Sequence, residues 1–380
     1  MSISAPQRQW LTLKMIPGVG TTLFVRLLSR FGSPQDVLSA SESALRDVVG
    51  PKLAERIRTY QHMVDVDRQI ALQEEYGARI ITMDDTAYPL SLAEIYDPPL
   101  VLFARGHVAA PDAPCVALVG TRKPSTYGVR MARSLAYDLA LRGITVVSGM
   151  AEGIDTAAHE GALEAGGHTI AVLGCGVDVV YPPRNAELMH RIIGQGAVYS
   201  CFEMGVKPSK GHFPYRNRII SGLSMGTVVV EAPVGSGSLI TARNAAEQGR
   251  EVYAVPGEAG SYNSRGPHAL LREGAKLVES AEDIIVELNI GAAHRQSEKL
   301  QTESGGKQEV PSSNTQPARP RPNLSATEEV VLDVLHSEGS FVDEIAAAGR
   351  VSVSEALSAL TMLELKGLVQ QFSGKRFARR

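Results

Sequence analysis

Between about Ala78 and Ile290 the chain repeats one pattern: a short apolar, mostly β-branched run, a turn of small residues, then an amphipathic helical stretch. Runs such as VALVG at Val116 to Gly120 and TVVVEA at Thr227 to Ala232 are apolar throughout and do not alternate. A strand with one wet face alternates; a strand covered on both faces does not, and that is the mark of a parallel sheet flanked by helices. The pattern predicts strands over Ala78–Met83, Leu100–Ala104, Cys115–Val119, Ile144–Ser148, Thr169–Leu173, Ala197–Ser200, Thr227–Glu231, Glu251–Val255 and Lys276–Val278, with helices such as Tyr127–Arg142 and Ser238–Gln248 between them. The expected fold is α/β, an extended Rossmann-like doubly wound sheet.

The flanks differ. Residues 1–75 read as a small helical domain, with apolar residues at helical spacing interrupted by two Gly turns, PGVG at Pro17 to Gly20 and VVGPK at Val48 to Lys52. Such turns resemble helix-hairpin-helix or SAM-like units; packing as a plain helical domain is the alternative. After the central region at 76–290, residues 291–323 are rich in Ser, Gln, Gly, Pro and charge. That composition buries too little apolar surface to offset its ordering entropy, so it predicts a flexible linker. Residues 324–380 predict three helices (Ser325–Ser337, Phe341–Ala348, Ser352–Lys366) and a hairpin turning at Ser373–Gly374, the outline of a winged helix. Its third helix sets Glu355 and Glu364 against Lys366, a poor surface for phosphate contact, so a protein-contact or regulatory role is expected there. The basic tip at Lys375, Arg376, Arg379 and Arg380 leaves phosphate contact open.

The formal net charge is −3, from 38 Lys+Arg and 41 Asp+Glu. A polyanion would therefore meet a local basic patch, not a basic coat. Cys115, Cys175 and Cys201 are far apart with no CxxC pair, which argues against a disulfide framework or a structural zinc. No secretory signal and no run long enough to span a bilayer is visible. The expectation is a cytoplasmic protein that does not engage membranes.

Several strand ends carry chemistry. The third strand runs into Gly120, Thr121, Arg122 and Lys123 and then a helix, so free amides, a helix dipole and two cations converge in a phosphate-binding arrangement; a solvated tight turn is the plainer reading. The glycine spacing of a dinucleotide fingerprint is missing. Ser148 and Gly149 open a second small-residue loop. Asp155 and His159 follow, four apart on one helix face, and serve better as a helix cap and a loop brace than as an acid/base pair. In KPSKGHFPYRNR, Lys207, Lys210, Arg216 and Arg218 stand among His212, Phe213 and Tyr215. Cations follow phosphates while bases stack on rings, which suits single strands better than duplex. Core anchoring by Phe213 and Tyr215, and ion pairing by Arg216 and Arg218, are the alternatives. Ser236, Gly237 and Ser238 form a third loop after Glu231, where small residues admit a ligand close to the backbone; Glu231 paired with an arginine of the RNR segment is the structural option. There is no GxxxxGK[ST] loop or HExxH, and no cofactor, metal or catalytic constellation is expected.

GTRKPSTYG, SGMAEGIDTAAHEGAL, AVLGCGVDVVYPPRN, FPYRNRIISGLS, VVVEAPVGSGSLITARNAAEQGR and VPG occur in that order. Together they resemble the DNA processing protein A (DprA/Smf) family, as do the flanking modules less distinctively. The resemblance implies a homodimeric, non-enzymatic protein that binds single-stranded DNA, protects incoming DNA in natural transformation and loads the RecA recombinase. It further implies that Arg122 and Lys210 hold phosphate, that Phe213 stacks on a base, and that Arg216, Asn217 and Arg218 line or brace the pocket with Ser236 to Ser238 on its rim. The family's Gly-x-Asn reads Gly266-Pro267-His268 here, so no contact by that Asn carries over. The alternative is a Rossmann-like hydrolase of nucleotide N-glycosidic bonds, with Glu231 or the Asp155–His159 pair as acid/base groups.

Overall fold

The position of a ligand in a sheet of this kind follows from the order in which its strands lie. The computed structural model describes residues 3–288, 326–335 and 340–349, together with 351, 356, 359–360, 363, 369–372 and 376–379. The predicted linker, most of the third C-terminal helix with Glu355, Glu364 and Lys366, and the turn at Ser373–Gly374 lie outside the described residues.

All nine central strands form, with ends within one or two residues of those expected. They are β1 (Arg79–Thr82), β2 (Val101–Gly106), β3 (Cys115–Val119), β4 (Thr145–Ser148), β5 (Thr169–Val172), β6 (Ala197–Ser200), β7 (Gly226–Val229), β8 (Glu251–Ala254) and β9 (Lys276–Leu277). The sheet order is β1-β2-β6-β5-β4-β3-β7-β8-β9. From β6 to β9 every neighbouring pair is parallel, while β2 pairs antiparallel with β6 and β1 antiparallel with β2. The chain winds outward from β3 through β4, β5 and β6, then returns to β7 on the other side of β3. Connections leaving β3 and β7 therefore diverge, and a crevice opens at their carboxyl ends.

Every residue of β3 is buried. Val116 and Leu118 pack on one face, where helices α8 (Thr126–Leu141), α9 (Ile154–Glu164) and α14 (Ala281–Glu287) supply Leu135, Ala158 and Ile284. Ala117 and Val119 pack on the other face with Ile219, Ile220 and Ala242, from α11 (His212–Gly222) and α12 (Gly237–Glu247). This double coverage is why the strand sequences lack alternation. The remaining central helices are α7 (Leu90–Ala93), α10 (Ala186–Gln195) and α13 (Arg265–Arg272).

Six helices precede the sheet: α1 (Ala5–Met15), α2 (Thr21–Phe31), α3 (Pro34–Ser39), α4 (Glu42–Val49), α5 (Pro51–Arg58) and α6 (Val66–Glu75). Ser4 and Gln7 form a reciprocal capping box that starts α1. The two Gly turns join α1 to α2 and α4 to α5, and Arg56 Nη1 donates to the Pro17 carbonyl at 3.3 Å, tying the second hairpin to the first turn. These helices share a core with the sheet: Trp10, Leu13 and Phe24 belong to one apolar cluster with Phe103, Leu188 and Val198. Trp10 Nε1 donates to Asp84 at 2.8 Å. Lys14 pairs with Glu203 and donates to the Cys201 carbonyl, and Gln69 exchanges two hydrogen bonds with the Met204 backbone.

A second compact unit holds the C-terminal residues. Helices Ala326–Asp333 and Val342–Gly349 accompany a three-stranded antiparallel sheet of Ser340–Phe341, Arg376–Arg379 and Val369–Phe372, in that spatial order. Val331, Ile345, Leu360 and Phe377 lie in its core.

The shared core makes a specific demand. Trp10 is the sole tryptophan and lies at the junction, so its fluorescence should change together with the far-ultraviolet circular dichroism of the sheet during urea unfolding. Phe24→Ala, at a fully buried ring 4.8 Å from Trp10, should shift both transitions together by about 3–5 kcal/mol. An earlier, separate tryptophan transition would show that the helices are held independently.

Candidate nucleic-acid interface

Four loops meet at the crevice. The loop after β3 carries Gly120, Thr121, Arg122 and Lys123, and Ser125 caps α8 by accepting the Gly128 amide. It is fastened to the end of β7 by Glu231: the Thr121 amide donates to the Glu231 carbonyl at 2.7 Å, and the Ser125 amide and hydroxyl both donate to the Glu231 carboxylate. Asn263 Nδ2 donates to the Lys123 carbonyl at 3.0 Å and reaches the same carboxylate at 3.4 Å. Glu231 thus pairs with Ser125 and Asn263, not with an arginine of the RNR segment.

The loop after β4 is equally fixed. Met150 is held in the left-handed region with φ of 56°, a conformation that persists when its surroundings over-determine it. Asp155 accepts the amides of Gly149 and Ala151 at 3.2 and 3.3 Å, and Asn185 Nδ2 donates to the Met150 carbonyl at 2.8 Å. Asp155 therefore braces the loop and does not cap α9, the cap role expected from the sequence, because its carboxylate turns back to the Gly149 and Ala151 amides. His159 instead holds a strand: its Nδ1 lies 2.8 Å from Thr169 Oγ1.

Helix α11 enters from the side of β5. Phe213, Arg216 and Asn217 are three and four residues apart and share a face. Phe213 lies over Gly174, tilted 5.5 Å from the Tyr181 ring and 5.6 Å from the Arg122 guanidinium carbon. Asn217 Nδ2 donates to the Gly237 carbonyl at 3.1 Å, tying α11 to the loop where Ser236 caps α12. Arg216 is 5% exposed. Its Nη1 donates to the Val172 carbonyl at 2.7 Å, and its buried Nε has no partner. A Cβ on Gly149 would lie 1.8 Å from that Nη1, so the guanidinium occupies space that glycine alone leaves free.

These loops enclose a cavity of about 570 Å³. Of the predicted residues, Gly120, Thr121, Arg122, Lys123, Phe213, Arg216, Asn217, Ser236, Gly237 and Ser238 line it. Gly149 lines a smaller hollow of about 130 Å³, which Arg122, Phe213 and Arg216 also border. Three predicted residues lie elsewhere. Ser148 is fully buried and donates to the Leu118 carbonyl at 2.6 Å; it holds β4 to β3. Arg218 stacks 4.1 Å over the Tyr215 ring and lies 3.4 Å from Asp97, on the other side of α11. Lys210 is exposed in the turn before α11 and does not line the cavity. Thr241, in the first turn of α12, lines it too, and so do two residues the motifs do not mark, Tyr262 and Asn263. The VPG turn after β8 signalled a further strand end, but nothing in it marked Tyr262.

The cavity is electropositive at its mouth and mixed at its floor. Arg122 and Lys123 are exposed. Burial lowers the pKa of Arg216, with the nearby Asp155 charge opposing the shift; arginine remains charged across the physiological range. Burial raises Asp155 above the ordinary carboxylate value, opposed by Arg216 and by the two loop amides.

Burial, assisted by the Arg216 charge, pushes the His159 imidazole down to about 3. An unfolded histidine titrates near ~6.5, so between those values the unfolded chain binds more protons. Stability is complete above pH ~6.5 and falls below it by about 1.4 kcal/mol per pH unit from this group. His159→Gln should therefore reduce the loss of unfolding free energy between pH ~7 and pH ~5 by about 2 kcal/mol. Identical losses in chemical denaturation would mean that the imidazole titrates normally.

The family model for DNA recombination-mediator protein A matches residues 79–289, that for the DprA winged helix domain matches 315–375, and a SAM-like helix-hairpin-helix tandem matches 11–59. Protein Smf of Synechocystis is 34% identical over 99% of this chain and 100% of its own length. DNA processing protein DprA of Streptococcus pneumoniae is 47% identical over 53% of this chain and 72% of its own. The X-ray structure of DprA from Streptococcus pneumoniae superposes with a TM-score of 0.65 at 37% identity, over 76% of this chain and 99% of that one. The structure of DNA processing protein A from Helicobacter pylori, described for its single-stranded DNA binding mode, gives 0.50 at 31% identity over 55% and 95%. The chain belongs to the DNA recombination-mediator protein A family.

Proposed function

We propose that this protein binds single-stranded DNA in the crevice between the β3 and β7 loops and hands it to the RecA recombinase, protecting incoming DNA during natural transformation. In this reading it works in the cytoplasm as a homodimer and catalyses no reaction. The observation that carries the DNA-binding step is the buried, under-partnered guanidinium of Arg216 in a cavity whose wall bears Phe213 and whose mouth bears Arg122 and Lys123. Phosphate oxygens satisfy the cations and a base covers the ring. The Helicobacter pylori relative's single-stranded DNA binding mode supports the same ligand. Pairing of two copies would lengthen the track, so that modest contacts add along one strand.

The glycosidic-hydrolase reading fares less well against the same geometry. Glu231 is engaged by Ser125 and Asn263, and His159 is fully buried against Thr169. Neither is disposed to exchange protons with a nucleotide in the cavity.

Fluorescence anisotropy of a labelled oligothymidylate across a salt series tests the proposal. Arg122→Ala should weaken binding and flatten the salt dependence by about one phosphate contact, ~0.7 in the logarithmic slope for single strands. Lys210→Ala, at an exposed cation beside the helix entry, should act in the same way. Phe213→Ala should cost about 1–3 kcal/mol with the slope unchanged. Gly149→Ala, which drives a methyl group into the guanidinium, should weaken binding while leaving the salt slope near that of the unaltered protein. Unchanged binding in all four variants would refute the reading.

A further inference from the structure

Tyr262 is 64% exposed, and the residues that follow it are anchored to the crevice. It opens a short 3-10 turn, Tyr262–Ser264. The Ala232 amide donates to the Asn263 carbonyl and the Gly266 amide to the Ala232 carbonyl, both at 2.8 Å. Asn263 is fastened in addition to the Lys123 carbonyl. Several large side chains of this protein are exposed, Tyr96 and Tyr137 among them, but these two do not line the crevice and Tyr262 does. This ring lines the same cavity as Phe213. Its hydroxyl has no hydrogen-bond partner among the described residues, and the Arg265 guanidinium carbon lies 5.8 Å from its centroid.

Phe213 lies over the end of β5, and the turn bearing Tyr262 is pinned at the end of β7. The strand order β5-β4-β3-β7 puts three strand spacings between those ends, about 14 Å at ~4.8 Å each. The loop after β3, with Arg122 and Lys123, leaves a strand that lies between those two in the sheet, and both cations line the same cavity. Ring, cations, ring is the pattern that single-stranded binders use to seat bases with phosphates between them.

We propose that Tyr262 is a second base platform, stacking on a base further along the strand than the one that covers Phe213, with Arg265 beside it for the adjoining phosphate. This rests on the reading of the crevice as a single-stranded DNA site and extends it from one base to two.

The test uses the full chain and labelled oligothymidylates carrying one abasic nucleotide, scanned along the strand. The unaltered protein should lose affinity at two separated abasic positions. Tyr262→Ala should bind the intact oligonucleotide roughly five- to hundredfold more weakly. It should also lose its sensitivity at one of the two positions, keep the other, and keep its salt slope and melting temperature. Phe213→Ala should lose the other position. Tyr262→Phe should retain both, because the flat ring and not the hydroxyl does the stacking. If Tyr262→Ala binds like the unaltered protein, or keeps both sensitive positions, the second platform is refuted while the crevice reading stands on Phe213→Ala. If the unaltered protein shows no abasic sensitivity and Phe213→Ala is silent, both fall.

Discussion

Burying a guanidinium is unfavourable unless its hydrogens and its charge find partners. Arg216 is nearly sealed from water, has the Val172 carbonyl on Nη1, and leaves Nε without one. Asp155 offsets part of the charge from across the loop but is itself occupied by two amides. An anion arriving from the cavity would meet what remains of that demand. The surroundings are consistent with that demand: Gly149 leaves the space the guanidinium fills, and Arg122 and Lys123 stand at the entrance.

Rigidity is the second requirement. A cation that could retreat into solvent would not need the ligand. The crevice prevents this by fastening its loops to each other instead of to distant parts of the fold. Glu231 joins the β3 and β7 loops, Asn263 joins the β8 connection to both, Asp155 and Asn185 fix the β4 loop, and Asn217 ties α11 to the α12 entry. A strand binding there would meet phosphate and base contacts already in place, so less of the interaction is lost to ordering.

The fold was legible because parallel strands covered on both faces leave an unmistakable record: VALVG and TVVVEA do not alternate, and every residue of β3 is buried. The strand-loop-helix sites were legible for a related reason, since chemistry at a doubly wound sheet gathers at strand ends. The side chains within α11 were harder. The richness of KPSKGHFPYRNR drew Arg216 and Arg218 into one reading, although residues two apart on a helix face opposite ways. Helical spacing groups Phe213 with Arg216 and Asn217, and Tyr215 with Arg218, and that is how they divide. Ser148 reads both as the end of its strand and as the opening of the loop, and only the strand role holds, because its hydroxyl is spent on the Leu118 carbonyl. Tyr262 carried no local signal at all; it reaches the cavity only because backbone hydrogen bonds pin its turn to the end of β7.

The most direct test is a crystal structure of the full chain with a short oligothymidylate. The account predicts a phosphate within hydrogen-bonding distance of Arg216 and Arg122, in the crevice between the β3 and β7 loops, with a base on the Phe213 ring. A strand bound on another surface, with the Arg216 guanidinium still lacking an anion, would contradict it.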